Sequence, residues 1–141
     1  MAVFTEVSLQ EADALAKKLK LAPVAQLKGI TGGIENTNYF LTTAQGDQYV
    51  LTLFERLSAA QLPFYLFLMK HLASRGIPVP DPAASPHGEI LHEVCGKPAA
   101  LVDRLRGASV LEPQASHAAR VGDMLARMHL AGQDYQRSQP N

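Results

Sequence analysis

The chain has 141 residues, 47% hydrophobic and 18% charged, with 13 basic side chains balanced by 13 acidic ones, which is the make-up of one folded domain and excludes a disordered chain. A net charge of zero leaves no basic excess for a phosphate backbone or an anionic bilayer, so neither nucleic acid nor a membrane is an expected partner. The longest mostly apolar run, Leu62 to Met69, is under half of the ~20 residues that cross a bilayer, and it contains Pro63.

Met1 is followed by Ala-Val-Phe-Thr-Glu, with neither the basic start nor the apolar core of a secretion signal, and the expected location is cytoplasmic. The single cysteine, Cys95, suits that compartment. It excludes an internal disulfide or a multi-cysteine zinc site, and five scattered histidines show no paired ligand spacing. Ser8-Leu9-Gln10-Glu11 has the form of a capping box. A short amphipathic helix is predicted after it. Ala12, Leu15, Ala16 and Leu19 recur at the helical interval, Lys17, Lys18 and Lys20 lie near the negative end of the dipole, and Pro23 prevents continuation.

From Val24 to Glu55 the texture changes to β-branched and aromatic stretches, Val24 to Leu27, Asn38 to Thr43 and Gln48 to Phe54, which reads as an antiparallel meander. In the third stretch Tyr49, Leu51 and Leu53 alternate with Val50, Thr52 and Phe54, so both faces are mostly apolar and a central strand covered on both sides is predicted. Ser58 or Gln61 starts the next helix, Pro63 is tolerated in its first turn, and Phe64, Phe67, Leu68 and Leu72 supply its apolar face up to a stop at Gly76. Ile77-Pro78-Val79-Pro80-Asp81-Pro82 cannot be helical and is expected to be an extended connector.

Glu89 to Val94 and Ala99 to Leu105 read as two more strands around a Cys95-Gly96-Lys97-Pro98 turn, which completes a five-stranded sheet. A last helix is predicted from about Gln114 to Ala131, with Ala118, Val121, Leu125 and Met128 as its stripe and Gly132 after its end.

Thr31-Gly32-Gly33-Ile34-Glu35-Asn36-Thr37-Asn38 joins two predicted antiparallel strands, and its adjacent glycines let the backbone approach a ligand. It lacks Gly-Lys-Ser/Thr and leads into a strand, so it is neither a P-loop nor a dinucleotide-binding turn. A plain glycine hairpin and a lid over nucleotide phosphates both fit it. The order of flap hairpin, third strand, helix, Pro-rich connector and two further strands matches the small lobe of protein-kinase-like enzymes.

The stretches Gly33-Ile34-Glu35-Asn36-Thr37-Asn38-Tyr39-Phe40, Tyr49-Val50-Leu51-Thr52-Leu53-Phe54-Glu55, Leu62-Pro63-Phe64-Tyr65-Leu66, Gly96-Lys97-Pro98-Ala99-Ala100-Leu101-Val102 and Met124-Leu125-Ala126-Arg127-Met128-His129-Leu130-Ala131-Gly132 closely resemble bacterial homoserine kinases. These belong to the aminoglycoside phosphotransferase and choline kinase-like superfamily, and the resemblance covers nearly the whole chain. It implies an α+β fold: a kinase-like small lobe over residues 1–107 with a five-stranded antiparallel sheet, then a linker and the first helix of a large lobe over 108–141. It further implies ATP and magnesium as cofactors and phosphoryl transfer to the side-chain hydroxyl of L-homoserine, a step of threonine biosynthesis. On that template Gly32, Gly33, Glu35, Asn36 and Asn38 would cover the phosphates, and Val102, Asp103, Arg104 and Leu105 would be the hinge that pairs with adenine. Val24, Val50 and Leu101 would line its apolar pocket, and Asp103 is either a polar edge residue or a neighbour of the ribose.

Two positions depart from the kinase-like pattern of a phosphate-binding Lys on the third strand and a Glu on the next helix: here they are Thr52 and Tyr65. Their joint loss is coherent, because one left without the other would cost on the order of 3 to 5 kcal/mol. Thr52 offers a hydrogen bond without charge, and Arg56 could supply the charge if the strand continues, or be a solvated strand end. His129, in the stripe with Leu125 and Met128, is expected to be packed and structural. Cys95 needs no role beyond packing.

The resembling enzymes carry a His-Gly-Asp segment with a downstream Asn and a further metal-binding Asp, and no His-Gly-Asp occurs here. The chain therefore reads as the amino-terminal part of such a kinase, without catalytic or metal-ligating residues of its own, inactive alone and binding adenine nucleotide weakly. The last helix lacks the lobe it would pack on, which leaves its stripe open to folding back or to pairing with a second copy. A related kinase with another small hydroxyl acceptor, and a non-catalytic nucleotide-binding or interaction module, are the alternative readings.

Overall fold

The computed structural model describes residues 4–31, 35–104 and 114–137. The elements run α1 (Leu9–Lys18), β1 (Val24–Gly29), β2 (Thr37–Thr43), β3 (Gln48–Leu53), α2 (Leu62–Ser74), β4 (His92–Val94), β5 (Lys97–Asp103) and α3 (Ala115–Gly132). α1 starts on the predicted capping box. Ser8 Oγ accepts the Glu11 amide at 3.1 Å, and the Glu11 carboxylate accepts the Ser8 amide at 3.3 Å, which satisfies donors the first turn leaves free. The Asp13 carboxylate accepts the Val24 amide at 3.0 Å and so fixes the helix to β1.

The strands pair antiparallel in the order β1-β2-β3-β5-β4, with β3 in the middle. On one face Tyr39, Leu41, Leu51, Leu53, Ala99 and Leu101 pack against Leu15 and Leu19. Leu41, Leu51, Leu53 and Leu101 are each at most 1% exposed, and burying one such side chain contributes roughly 1.5–3 kcal/mol. On the other face Leu62 and Leu66 of α2 pack with Ile90 and Ala100, joined by Phe54 and Phe67. That cover stops at the β5 end of the sheet. Phe40, Val50, Thr52 and Val102 stay half-buried, so the strand predicted to be covered on both sides is sealed by α1 and only partly roofed by α2.

α2 takes the later of the two predicted starts. Gln61 is its N-cap and Pro63 lies in its first turn, while the Ser58 amide and hydroxyl donate to Gln61 Oε1 at 3.1 and 3.2 Å. Gly76, at φ 80°, follows its end. The Pro-rich connector lies along β5: the Ala83 amide donates to the Leu101 carbonyl at 2.7 Å, and Pro82 bridges Val102. Lys70 Nζ donates to the Pro82 carbonyl at 3.0 Å and lies 3.1 Å from the Asp81 carboxylate. β4 is shorter than the Glu89 to Val94 strand expected. Ser85 Oγ accepts the amides of His87 and Glu89 at 3.3 and 3.2 Å, a turn that holds backbone a longer strand would pair.

α3 is tied to α2 through its last turn. His71 Nε2 lies 2.8 Å from the Ala131 carbonyl and 3.0 Å from Asp134 Oδ1, Arg75 pairs with Asp134, and Tyr135 Oη donates to the Phe64 carbonyl at 2.6 Å. Its apolar stripe is largely uncovered: Val121 and Leu125 are 58% and 49% exposed and Met128 is half-buried, while Leu130, on another side of the helix, is 67% exposed. His129, expected to be packed, is exposed in that uncovered helix. Among the described residues no helix is long and apolar enough to cross a membrane.

Candidate nucleotide face

Directly opposed residues of an antiparallel ladder send their side chains to the same face. The register therefore lines up Lys28, Phe40, Val50 and Val102 in one row, and Asn38, Thr52 and Ala100 in the next. The Arg104 guanidinium stacks 4.0 Å over the Phe40 ring at the edge of the first row. In the second row Thr52 Oγ1 donates to Asn38 Oδ1 at 2.7 Å, which leaves the Asn38 amide nitrogen and the Thr52 lone pairs for another partner. An apolar row suits a planar ring, and the polar row beside it suits a hydrogen-bonding group.

The sequence-predicted site residues divide between places. Asn38, Val50, Thr52, Val102 and Arg104 lie on this open face. Leu101 and Val24 do not. Leu101 is fully buried in the α1-side core and Val24 packs against the same core, because a bulge between Val24 and Gln26 sets Val24 opposite Thr43. The three expected pocket residues therefore do not share a face: Val50 lies with Phe40 and Val102 on the open side, and Val24 and Leu101 belong to the α1-side core. Asp103 stands opposite Tyr49, and its carboxylate accepts the Asp81 amide at 2.6 Å, which directs it to the connector.

The expected hinge amides are also engaged. The Asp103 amide donates to the Asp81 carbonyl at 3.4 Å and the Arg104 amide to the Gln48 carbonyl at 3.2 Å. Asn36 is half-buried at the foot of the flap hairpin and Glu35 is exposed. Gly32, Gly33 and Leu105 lie outside the described residues. Lys28 and Phe40 are the members of the face that sequence reasoning missed. Their signal was the alternation of Gln26 and Lys28 in β1 and of Asn38 and Phe40 in β2.

Arg56 is not on the strand. β3 stops at Leu53, and Arg56 lines a cleft of about 280 Å³ with Phe4, Glu35 and Glu55. Glu55 anchors the amino-terminal segment there: it pairs with Lys97 and accepts Thr5 Oγ1 at 2.6 Å and Thr37 Oγ1 at 2.8 Å. Thr37 Oγ1 in turn accepts the amides of Phe4 and Thr5 at 2.9 and 3.1 Å. Burial pushes the Glu55 carboxyl upward, and the bonds from Lys97, Thr5 and Thr37 outweigh it and hold the group below the usual carboxylate range. Tyr65, in the place of the helix Glu, sets its ring edge-on to Phe64 at 5.3 Å. Among the described residues no three His, Cys, Asp or Glu side chains are grouped to hold a metal ion.

The model of the phosphotransferase enzyme family matches residues 26–140. Homoserine kinases match across the whole chain: that of Polaromonas naphthalenivorans is 65% identical over 141 residues, 100% of this chain and 44% of the relative. That of Cupriavidus necator is 60% identical over 144 residues with the same coverage, and that of Burkholderia cenocepacia is 54% identical over 141 residues, 100% of this chain and 42% of the relative. The chain thus spans less than half the length of the curated relatives it matches. Among solved structures, amicoumacin kinase hAmiN in complex with AMP-PNP, Ca2+ and Ami superposes with a TM-score of 0.66 over 82% of this chain and 37% of that one, at 21% identity. A five-stranded antiparallel sheet with one helix after its third strand is the fold this kinase shares, and with the family match over residues 26–140 the chain belongs to the phosphotransferase enzyme family.

Proposed function

We propose that the chain is the nucleotide-holding lobe of a cytoplasmic, ATP-dependent homoserine kinase, with residues 1–107 as that lobe and 108–141 as the linker and first helix of a second. The observation that carries this reading is the identity of 54–65% to homoserine kinases over all 141 residues. The reaction moves a phosphoryl group to the hydroxyl oxygen of L-homoserine, giving O-phospho-L-homoserine and ADP. Bound ATP with magnesium would supply that phosphoryl group.

The residues present fit the nucleotide and not the metal. Val50 and Val102 offer an apolar surface for the purine, with Arg104 stacked on Phe40 at its edge, and Asn38 and Thr52 offer hydrogen bonds next to it. Transfer also needs an acceptor for the hydroxyl proton and oxygen ligands for magnesium, and the 141 residues contain no His-Gly-Asp. On this reading the second lobe supplies both and packs on the open stripe of α3.

The test is to put this chain in place of the matching segment of the Polaromonas naphthalenivorans enzyme and to follow ADP release with homoserine, choline and an aminoglycoside. Homoserine-dependent release is expected from the chimera and none from the 141-residue chain alone. A chimera that melts cooperatively and turns over choline or the aminoglycoside in preference to homoserine refutes the assignment.

A further inference from the structure

The open face has an apolar row and a polar row, but β3 places no charge on it, because Thr52 stands at the position of the usual phosphate-binding lysine. A nucleotide phosphate is held best by a positive charge with N–H donors. Of the cations nearby, Lys97 is paired with Glu55, Lys70 with Asp81, and Arg56 lies past the end of β3. Arg104 is stacked over Phe40. Lys28 remains. It stands opposite Phe40 in the β1–β2 ladder, is exposed, and has no ion-pair partner among the described residues.

We propose that Lys28 is the cation that holds a nucleotide phosphate on this face, supplying from β1 the charge that β3 lacks. The inference rests on the nucleotide reading above. Its Cα lies about 12 Å from that of Thr52, two strand spacings across and two residues along. A flexible four-carbon stem brings the ammonium into that gap, where a phosphate accepts from Lys28 on one side and from the Asn38 amide on the other. Standing at the outer end of the apolar row, Lys28 leaves Val50 and Val102 to the purine.

The test uses the 141-residue chain and two probes, MgATP and adenosine, titrated by calorimetry. The wild-type chain binds MgATP more tightly than adenosine. Lys28→Gln weakens MgATP binding by about tenfold, leaves adenosine binding within about twofold, and leaves the melting temperature unchanged, while Lys28→Arg restores most of the preference. An unchanged preference in Lys28→Gln overturns the proposal, as does its loss in Arg104→Gln alone. Adenosine binding with no preference for MgATP in the wild type sinks the role of Lys28 and leaves the purine row standing. Binding of neither probe removes the nucleotide reading and this one together.

Discussion

Replacing Lys97 with methionine keeps an apolar stem but removes the ammonium that Glu55 meets. The Glu55 side chain is 12% exposed and that of Lys97 39%, so the pair is neither a surface contact worth about 0–1 kcal/mol nor a sealed one whose breakage costs about 3–5 kcal/mol. Glu55 retains its bonds from Thr5 and Thr37, the Lys97 bond to Thr5 Oγ1 at 2.7 Å goes with the ammonium, and the expected loss of the two bonds, reduced by solvent, is about 1.5–2 kcal/mol. For a chain of this size that is a fall of about 4–7 °C in melting temperature. Urea melts of Lys97→Met, Glu55→Gln and the double variant isolate the pair, with an expected coupling of about 1–1.5 kcal/mol. The Glu55 carboxyl is held below its usual 4.5 in the fold, so its contribution is present above the unfolded value and is lost as pH falls through the folded one. The difference between wild type and Lys97→Met should therefore shrink in acid. A coupling below about 0.3 kcal/mol, or a difference that does not change with pH, would refute the reasoning.

Two further outcomes follow from single titrating groups. Burial pushes the His92 imidazole below its usual 6.5, only partly offset by the Ala83 carbonyl 3.3 Å from Nε2, and its Nδ1 is enclosed without a partner. The folded value lies below the unfolded one, so stability is full above 6.5 and declines below it; thermal melts between about pH 7.5 and 5 should lose less stability in His92→Gln than in wild type, and parallel curves would contradict this. The Cys95 thiol donates to the Glu11 carboxylate, and that bond, with burial, pushes it up to about 11. Iodoacetamide should label exposed Cys95 at least roughly tenfold more slowly than a free thiol, with Glu11→Gln restoring the rate; equal rates in the two forms would count against it.

The strands were legible because they alternate against a face the helices need, as Tyr49, Leu51 and Leu53 do in β3, whereas the place of β5 between β3 and β4 was not read. The open face proposed for the nucleotide was only half legible. Val50 and Thr52 followed from the parity of β3, but assigning Val24 and Leu101 to the same pocket ignored that parity in β5 and a bulge in β1 that only the pairing reveals. Lys28 carried the alternation of β1 as its signal, but its partner in β2 is fixed by the register and not by distance in sequence. The short β4 could not be read either, because Ser85 closes a turn over Glu89 with hydrogen bonds that leave no periodic trace.

The connector along β5 also bears on how copies of this chain meet. Pro78, Pro80 and Pro82 carry no N–H, and the Pro82 carbonyl is already taken by Lys70, so the stretch of β5 that runs past β4 cannot template a strand from another molecule. The edges left to another molecule are β4, only three residues long, and β1, where the exposed Lys28 already places a charge against cross-β growth.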